Sequence, residues 1–253
     1  MKMHFLSGGR LRMRRGVYYP GAAREETFEL PVISTLLRHP EGNVLFDTGC
    51  SPAAAVDAEA RWGGVARAMV PIYQPEDTVV DQLSLAGLGA DDIDVVICSH
   101  LHPDHCGCNE HFRRATIIAH AAEVAAAQAE DGVSKGYLPA DWDQPQGFDT
   151  FEGQRDVFGD GRIVLLPVPG HTIGMTAALV ALDDSGEFLL ASDAIAVEAN
   201  LTEGYAPKNS WDLDKAVQAI DELRKIGERG ATIIFGHDDA QWQALRKGAD
   251  FYA

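Results

Sequence analysis

His100-Leu101-His102-Pro103-Asp104-His105 is the stretch that decides how the rest of the chain is read. Four side chains able to ligate a metal stand within six positions. They directly follow Asp94–Cys98, a short apolar run rich in β-branched residues that reads as a buried strand. In extended chain alternate residues share a side, so positions 100, 102 and 104 converge if strand geometry persists. Pro103 removes a backbone donor and favours leaving regular structure, which lets His105 turn onto the same place from the next loop. Imidazole and carboxylate together suit zinc, and also iron, manganese or cobalt. A solvated His-rich loop is the plain alternative for one such cluster.

Residues further along weigh against that alternative. His171, Asp193 and His237 each follow an apolar strand and a small residue, in Gly170-His171, Ser192-Asp193 and Gly236-His237. Each is unremarkable alone; together with the first cluster they make five His and two Asp. The expected strands are Val32–Arg38, Asn43–Phe46, Ala115–Ala119, Arg162–Val168, Thr176–Leu182, Glu187–Ala191 and Thr232–Phe235. A turn at His39-Pro40-Glu41-Gly42 joins the first two. Ala121–Glu130 is Ala-rich, without Gly or Pro, and reads as a helix. Leu213–Glu228 carries apolar residues at 213, 216, 217, 220, 223 and 226, one helical face, with Asp212 as N-cap. Residues 131–161 are rich in Gly, Pro, Asp and Gln and read as a surface excursion or a substrate-covering loop. This order predicts a layered α/β protein with helices outside packed sheets. Its site sits at the C-terminal ends of several strands, which gives the rigid support that coordination needs.

Bulk composition narrows the function. A chain of 253 residues, 46% hydrophobic, can build one large domain, taken here as 1–253. The net charge of −17 repels phosphate backbones, so nucleic acid is not expected as a partner. No apolar run approaches the roughly 20 residues of a membrane-spanning helix, and the first residues lack the apolar core of a secretory signal, so a cytoplasmic location is expected. Cys50, Cys98, Cys106 and Cys108 are read as reduced packing residues, since a disulfide scaffold does not suit a chain this long.

These motifs carry a family resemblance. His-x-His-x-Asp-His at 100–105, Pro-Gly-His-Thr at 169–172, Asp193 and His237 occur in the order found in the metallo-β-lactamase superfamily, and Asp47-Thr48-Gly49 resembles its early Asp-Thr-Gly element. From about Pro31 onward the chain is similar to that family. The resemblance implies an αβ/βα four-layer sandwich with two divalent metal ions, zinc by preference, at one edge. It implies that His100, His102 and His171 bind the first metal, that Asp104, His105 and His237 bind the second, and that Asp193 bridges them.

His102 stands where the flavin-linked branch has Glu, and little chain follows His237 for the helical domain of the glyoxalase II branch. A compact chain with five His and two Asp looks most like the N-acyl homoserine lactonases and related small-lactone hydrolases. The implied reaction is opening of a lactone by a metal-bridging hydroxide, with Asp104 as the catalytic acid that serves the leaving group. Hydrolysis of another ester, a phosphotriester, an amide or a β-lactam is the alternative, and a non-catalytic metal-binding module is a more distant one.

One departure stands out. Those lactonases carry a Tyr three residues after the bridging Asp, where this chain has Ala196. Tyr205 and Tyr137 are candidate substitutes. Tyr18, Tyr19, Trp62, Met69, Ile72 and Tyr73 are candidates for apolar walls around a small-molecule substrate, or for a contact in a homodimer, with core packing the commoner fate of any one. Asp47 either orients a ligand His or caps a turn. His120 either lines the pocket or serves the fold. His4, His39 and His111 show no partner pattern and are read as surface residues.

Overall fold

Twelve strands form two sheets in the computed structural model, which describes residues 1–253. The first sheet contains β1 (Lys2–Arg14), β2 (Thr27–His39), β3 (Gly42–Phe46), β4 (Val70–Pro71), β5 (Val95–Ile97), β6 (Thr116–His120) and β7 (Asp149–Phe151), ordered β4-β1-β2-β3-β5-β6-β7. The second contains β8 (Arg155–Asp156), β9 (Ile163–Pro167), β10 (Thr176–Leu182), β11 (Gly186–Ser192) and β12 (Thr232–Phe235), ordered β12-β11-β10-β9-β8. Antiparallel hairpins build one side of each sheet. Parallel pairing runs through β3, β5, β6 and β7 in the first and joins β11 to β12 in the second.

Alternation along the strands sorts the side chains into layers. Val44 and Phe46 of β3 meet Phe188 and Leu190 of β11 between the sheets, in one core that also holds Ile97, Ile118, Leu165 and Val180. Leu45 points the other way, to a core with Val96, Phe112 and Ala127 of the helix Ala121–Gln128. On the far side of the second sheet, Leu189 and Ala191 pack under Ala219, Ile220 and Leu223 of the helix Leu213–Glu228. Helix, sheet, sheet, helix is the αβ/βα four-layer sandwich that the motifs imply. Strands buried on both faces also explain why these runs are apolar throughout. No helix is long and apolar enough to cross a membrane.

The expected helix Leu213–Glu228 has those bounds, and Asp212 caps it by accepting from the Lys215 N–H. Three readings need correction. First, β1 was not foreseen; it pairs with β2 from Lys2↔Arg38 to Arg14↔Thr27, with the register broken between Ser7 and Arg10. Second, residues 131–161, read as an excursion or a substrate-covering loop, also supply one edge strand of each sheet, β7 and β8. Third, His4 and His39 are buried, not surface residues. His4 Nδ1 lies 2.9 Å from the Gly248 carbonyl oxygen. His39 Nε2 lies 2.9 Å from Asp160 and its ring stacks on Phe158.

Candidate metal centre

Five loops converge at one edge of the sandwich, each leaving the C-terminal end of a strand. Asp47 follows β3, His100 to His105 follow β5, His171 follows β9, Asp193 follows β11 and His237 follows β12. The loop after β5 does not keep strand geometry. The His102 carbonyl accepts from the N–H groups of His105 at 2.9 Å and Cys106 at 3.1 Å, so a turn, not alternation, gathers its side chains. After β12, Gly236 lets the chain pass close to Asp193: a Cβ there would lie 2.8 Å from Asp193 Oδ1.

All seven expected residues come together, in two groups. In one, His102 Nδ1 lies 3.1 Å from both His100 Nε2 and His171 Nε2. In the other, Asp104 Oδ2 lies 3.6 Å from His105 Nε2 and 3.7 Å from His237 Nε2. Asp193 stands between them. Its Oδ2 is 3.4 Å from His171 Nε2, while its Oδ1 is 2.9 Å from His237 Nε2 and 3.3 Å from His105 Nε2. Six of the seven side chains are buried, and His102 is half-buried toward the surface.

Whether a cation fits is answered by the polar atoms. His105 Nε2, His237 Nε2 and Asp193 Oδ1 are buried without a hydrogen bond, yet they face one another. Buried polar atoms left unpaired cost free energy, and bringing imidazole nitrogens and carboxylates to one point without a hydrogen-bond pattern is what metal ligation resolves. Four of the five outward nitrogens have partners, that of His171 being buried without one. His100 Nδ1 meets Ser99 Oγ at 3.0 Å, His102 Nε2 the Lys135 carbonyl at 3.2 Å, His105 Nδ1 Asp47 at 2.8 Å and His237 Nδ1 the Pro31 carbonyl at 2.8 Å. Such contacts fix ring orientation and leave the inward nitrogen free to ligate. The donor set fits divalent metal ions.

Electrostatics divides the two groups. Burial holds His102 and His171 down at about 4 and His100 well below its ordinary value, so these imidazoles are neutral, the ligating form. Burial acts the same way on His105 and His237 but is outweighed by carboxylates. Asp104, Asp193 and Asp47 raise His105, and Asp193 raises His237. For Asp193 burial opposes ionisation, and His237, His105 and His171 overcome it, keeping the carboxyl well below the usual range.

Asp47 has the first of the two roles considered for it, orienting a ligand His, and its carboxylate bonds other loops, not its own turn. Its Oδ1 accepts from the Ser99 N–H at 2.7 Å, and its Oδ2 takes His105 Nδ1, Ser99 Oγ and Ser192 Oγ. Asp47 and Ser192 are the two non-glycine residues with positive φ, 59° and 46°. This strain lies at the site and is held by that network. His120 serves the fold: it caps the helix Ala121–Gln128 through Nδ1. The four cysteines are free and buried, as expected.

One residue escaped sequence reasoning, and another, Tyr18, was a candidate only for an apolar wall or a dimer contact. Glu123, fully buried, accepts from Leu101 N–H at 3.0 Å and Gly174 N–H at 2.9 Å, tying the loops of His100 and His171 together. Its one signal was a lone charge inside an Ala-rich helix. Tyr18 packs edge-on to His237, ring centres 6.2 Å apart. Burial raises its phenol well above the ordinary value, and the charges of Asp193 and Asp104 add to the effect. Trp62 and Tyr73 pack with Tyr18 into one apolar core. A cleft of about 270 Å³ opens beside His102 and His171, walled by Lys135, Tyr137, Asn209 and Trp211.

Residues 28–237 match the model of the metallo-beta-lactamase superfamily. The chain belongs to that superfamily. Among its relatives, the N-acyl homoserine lactonase AttM of Rhizobium johnstonii is 30% identical over 100% of this chain and 99% of its own length. The N-acyl homoserine lactonase AiiA of Bacillus thuringiensis subsp. kurstaki is 31% identical over 97% of this chain and 96% of its own. A solved N-acyl homoserine lactone hydrolase, with the product N-hexanoyl-L-homoserine bound at its catalytic metal centre, superposes with a TM-score of 0.88 at 27% identity, covering 99% of this chain and 98% of that one. The candidate ligands gather at the strand ends of the sandwich, and the protein is a metal-dependent hydrolase.

Proposed function

We propose that the protein opens a lactone ring at a pair of zinc ions. His100, His102 and His171 hold one ion, Asp104, His105 and His237 hold the other, and Asp193 spans both. The observation that carries this reading is the division of Asp193, whose two oxygens face different histidines, Oδ2 toward His171 and Oδ1 toward His105 and His237. An imidazole-rich set with two carboxylates suits zinc. Two cations held there supply Lewis acidity toward a carbonyl oxygen and acidify water.

The chain's own residues do the rest. Asp47 and Ser99 hold the rings of His105 and His100 in place. Asp104, buried at 5% exposure, takes the proton that the attacking water gives up and passes it to the alkoxide released when the ring opens. The cleft beside His102 and His171 admits a small molecule. The lactone class is favoured by the lactonase relatives, which match along nearly their whole length. Four buried cysteines without a disulfide support a reducing compartment, the cytoplasm.

Metal analysis of purified protein should find two zinc ions per chain. An Asp193→Asn variant should lose metal together with activity. Rates on lactones, aryl esters, phosphotriesters, amides and β-lactams should be fastest on lactones. Fast cleavage of another class beside negligible lactone opening would sink the substrate assignment, and full metal content in Asp193→Asn would sink the ligand assignment.

A further inference from the structure

Ser192 holds a backbone conformation that suits glycine. Its φ of 46° and ψ of −139° lie outside the three regions open to L-residues, whereas the other side chain at positive φ, Asp47, is of a type that tolerates it. The bend aims the next residue. The register of β11 with β12 shifts between Leu190 and Ser192, and the chain then delivers Asp193 to the metal centre. Gly236 packs against the bend: a Cβ there would lie 2.8 Å from the carbonyl carbon and oxygen of Ser192. Glycine at 192 would make the same bend without strain. What glycine lacks is the hydroxyl.

That hydroxyl joins the supports of both ligand groups. Ser192 is 7% exposed, and its Oγ lies 2.9 Å from Ser99 Oγ, 3.1 Å from Asp47 Oδ2 and 3.3 Å from His105 Nδ1. Asp47 orients His105 in one group, and Ser99 Oγ meets His100 Nδ1 in the other. When both rings ligate through Nε2, both Nδ1 atoms carry protons. The His105 proton goes to Asp47, and the His100 proton goes to Ser99 Oγ. The hydroxyls of Ser99 and Ser192 both donate to Asp47 Oδ2. Each proton of the network has an acceptor, and Ser192 Oγ touches three of its members.

We propose that the Ser192 hydroxyl is a positioning group for metal binding. It locks Asp47 and Ser99 together, so that the rings of His105 and His100 are fixed in common, and it is the reason a side chain stands at a strained position. Strain of this kind persists where the surroundings over-determine it, and it gathers at functional sites. The role rests on the two-metal reading above.

The test compares wild type, Ser192→Ala and Ser192→Gly, each as the full zinc-loaded chain. Both variants lack the hydroxyl, and glycine alone relieves the strain. Ser192→Gly should melt above Ser192→Ala by about 2–4 °C, the reverse of the usual order of these residues. Zinc affinity, read by titration against a competing chelator, should fall by about 10-fold in both, the lower end for a lost outer partner because Asp47 remains. A purely structural Ser192 predicts the opposite pattern, with affinity following the melting point. Wild-type affinity in Ser192→Gly, affinities that follow the melting points, or a Ser192→Ala that melts as high as Ser192→Gly overturns the assignment and leaves the two-metal reading intact. A wild type that binds no zinc overturns both.

Discussion

Asp47 Oδ2 lies 2.8 Å from His105 Nδ1, and both groups are buried. The contact sets which ring nitrogen of His105 faces Asp104 and Asp193. The same carboxylate holds Ser99 and Ser192, so it supports two of the loops that bring the centre together. Asp47→Asn keeps the size of the side chain, and Asn also tolerates positive φ. It removes the charge that orients the ring. Metal affinity should fall by about 10–100-fold, the usual cost of losing such a partner. Titration with a competing chelator measures this directly. An unchanged chelator midpoint would show that Asp47 serves only to join the loops of Ser99 and Ser192.

Removing the metals should loosen the fold as well as end activity. Without a cation, His105 Nε2, His237 Nε2 and Asp193 Oδ1 remain buried and unpaired. A ligand at 1,000 times its dissociation constant adds about 4 kcal/mol to folded-state stability. For a domain of this size that corresponds to a fall in Tm on the order of 10 °C after chelation. Differential scanning calorimetry with and without chelator, followed by zinc restoration, is the measurement. A midpoint indifferent to chelator would contradict a structural contribution from bound metal.

The converging residues were legible because each sits where an apolar strand stops, and a strand's end is visible in sequence. The helix Leu213–Glu228 was legible because one apolar face and one cap mark it. β1 was not, because Gly8-Gly9 breaks the run before the alternation of Leu11 and Met13 with Arg10, Arg12 and Arg14, and its pairing with β2 depends on a break in register. His4 and His39 looked like surface residues because their partners, Gly248 and Asp160, are more than a hundred positions away. For the same reason Tyr18 could be named only as a candidate for an apolar wall or a dimer contact. Nothing near it in sequence says that its ring will meet His237, whereas Tyr137 and Tyr205 drew notice as tyrosines downstream of the metal motif.

Gly49 ends the Asp47-Thr48-Gly49 turn with φ of +68° and lies against the backbone of β1. A Cβ there would collide with the Cα of Gly8 and come within 2.6 Å of its carbonyl oxygen. Neither atom is the end of a flexible side chain, so the backbone itself must shift. Gly49→Ala combines left-handed strain with overpacking, together about 2 kcal/mol or more. Urea unfolding should show a lower midpoint with an unchanged slope. A wild-type midpoint would mean that β1 and the turn can separate at no cost.

Asp141 gives stability a dependence on pH away from the metal centre. The carboxyl is fully buried; Arg61 Nε donates to its Oδ1 at 2.7 Å, while Oδ2 has no hydrogen bond. Burial pushes its pKa up from 3.8 to about 6, against the pull of Arg61. A carboxyl whose folded pKa is raised binds its proton more tightly in the folded state. Its contribution is therefore full below about pH 4 and is lost as pH rises toward 6. Asp141→Asn keeps an acceptor for Arg61 and cannot ionise. The stability of wild type relative to Asp141→Asn should fall between about pH 4 and 6 and level off above. Urea midpoints for both proteins across that range decide the matter. A difference that stays flat would place the folded pKa near its ordinary value, with Arg61 offsetting the whole cost of burial.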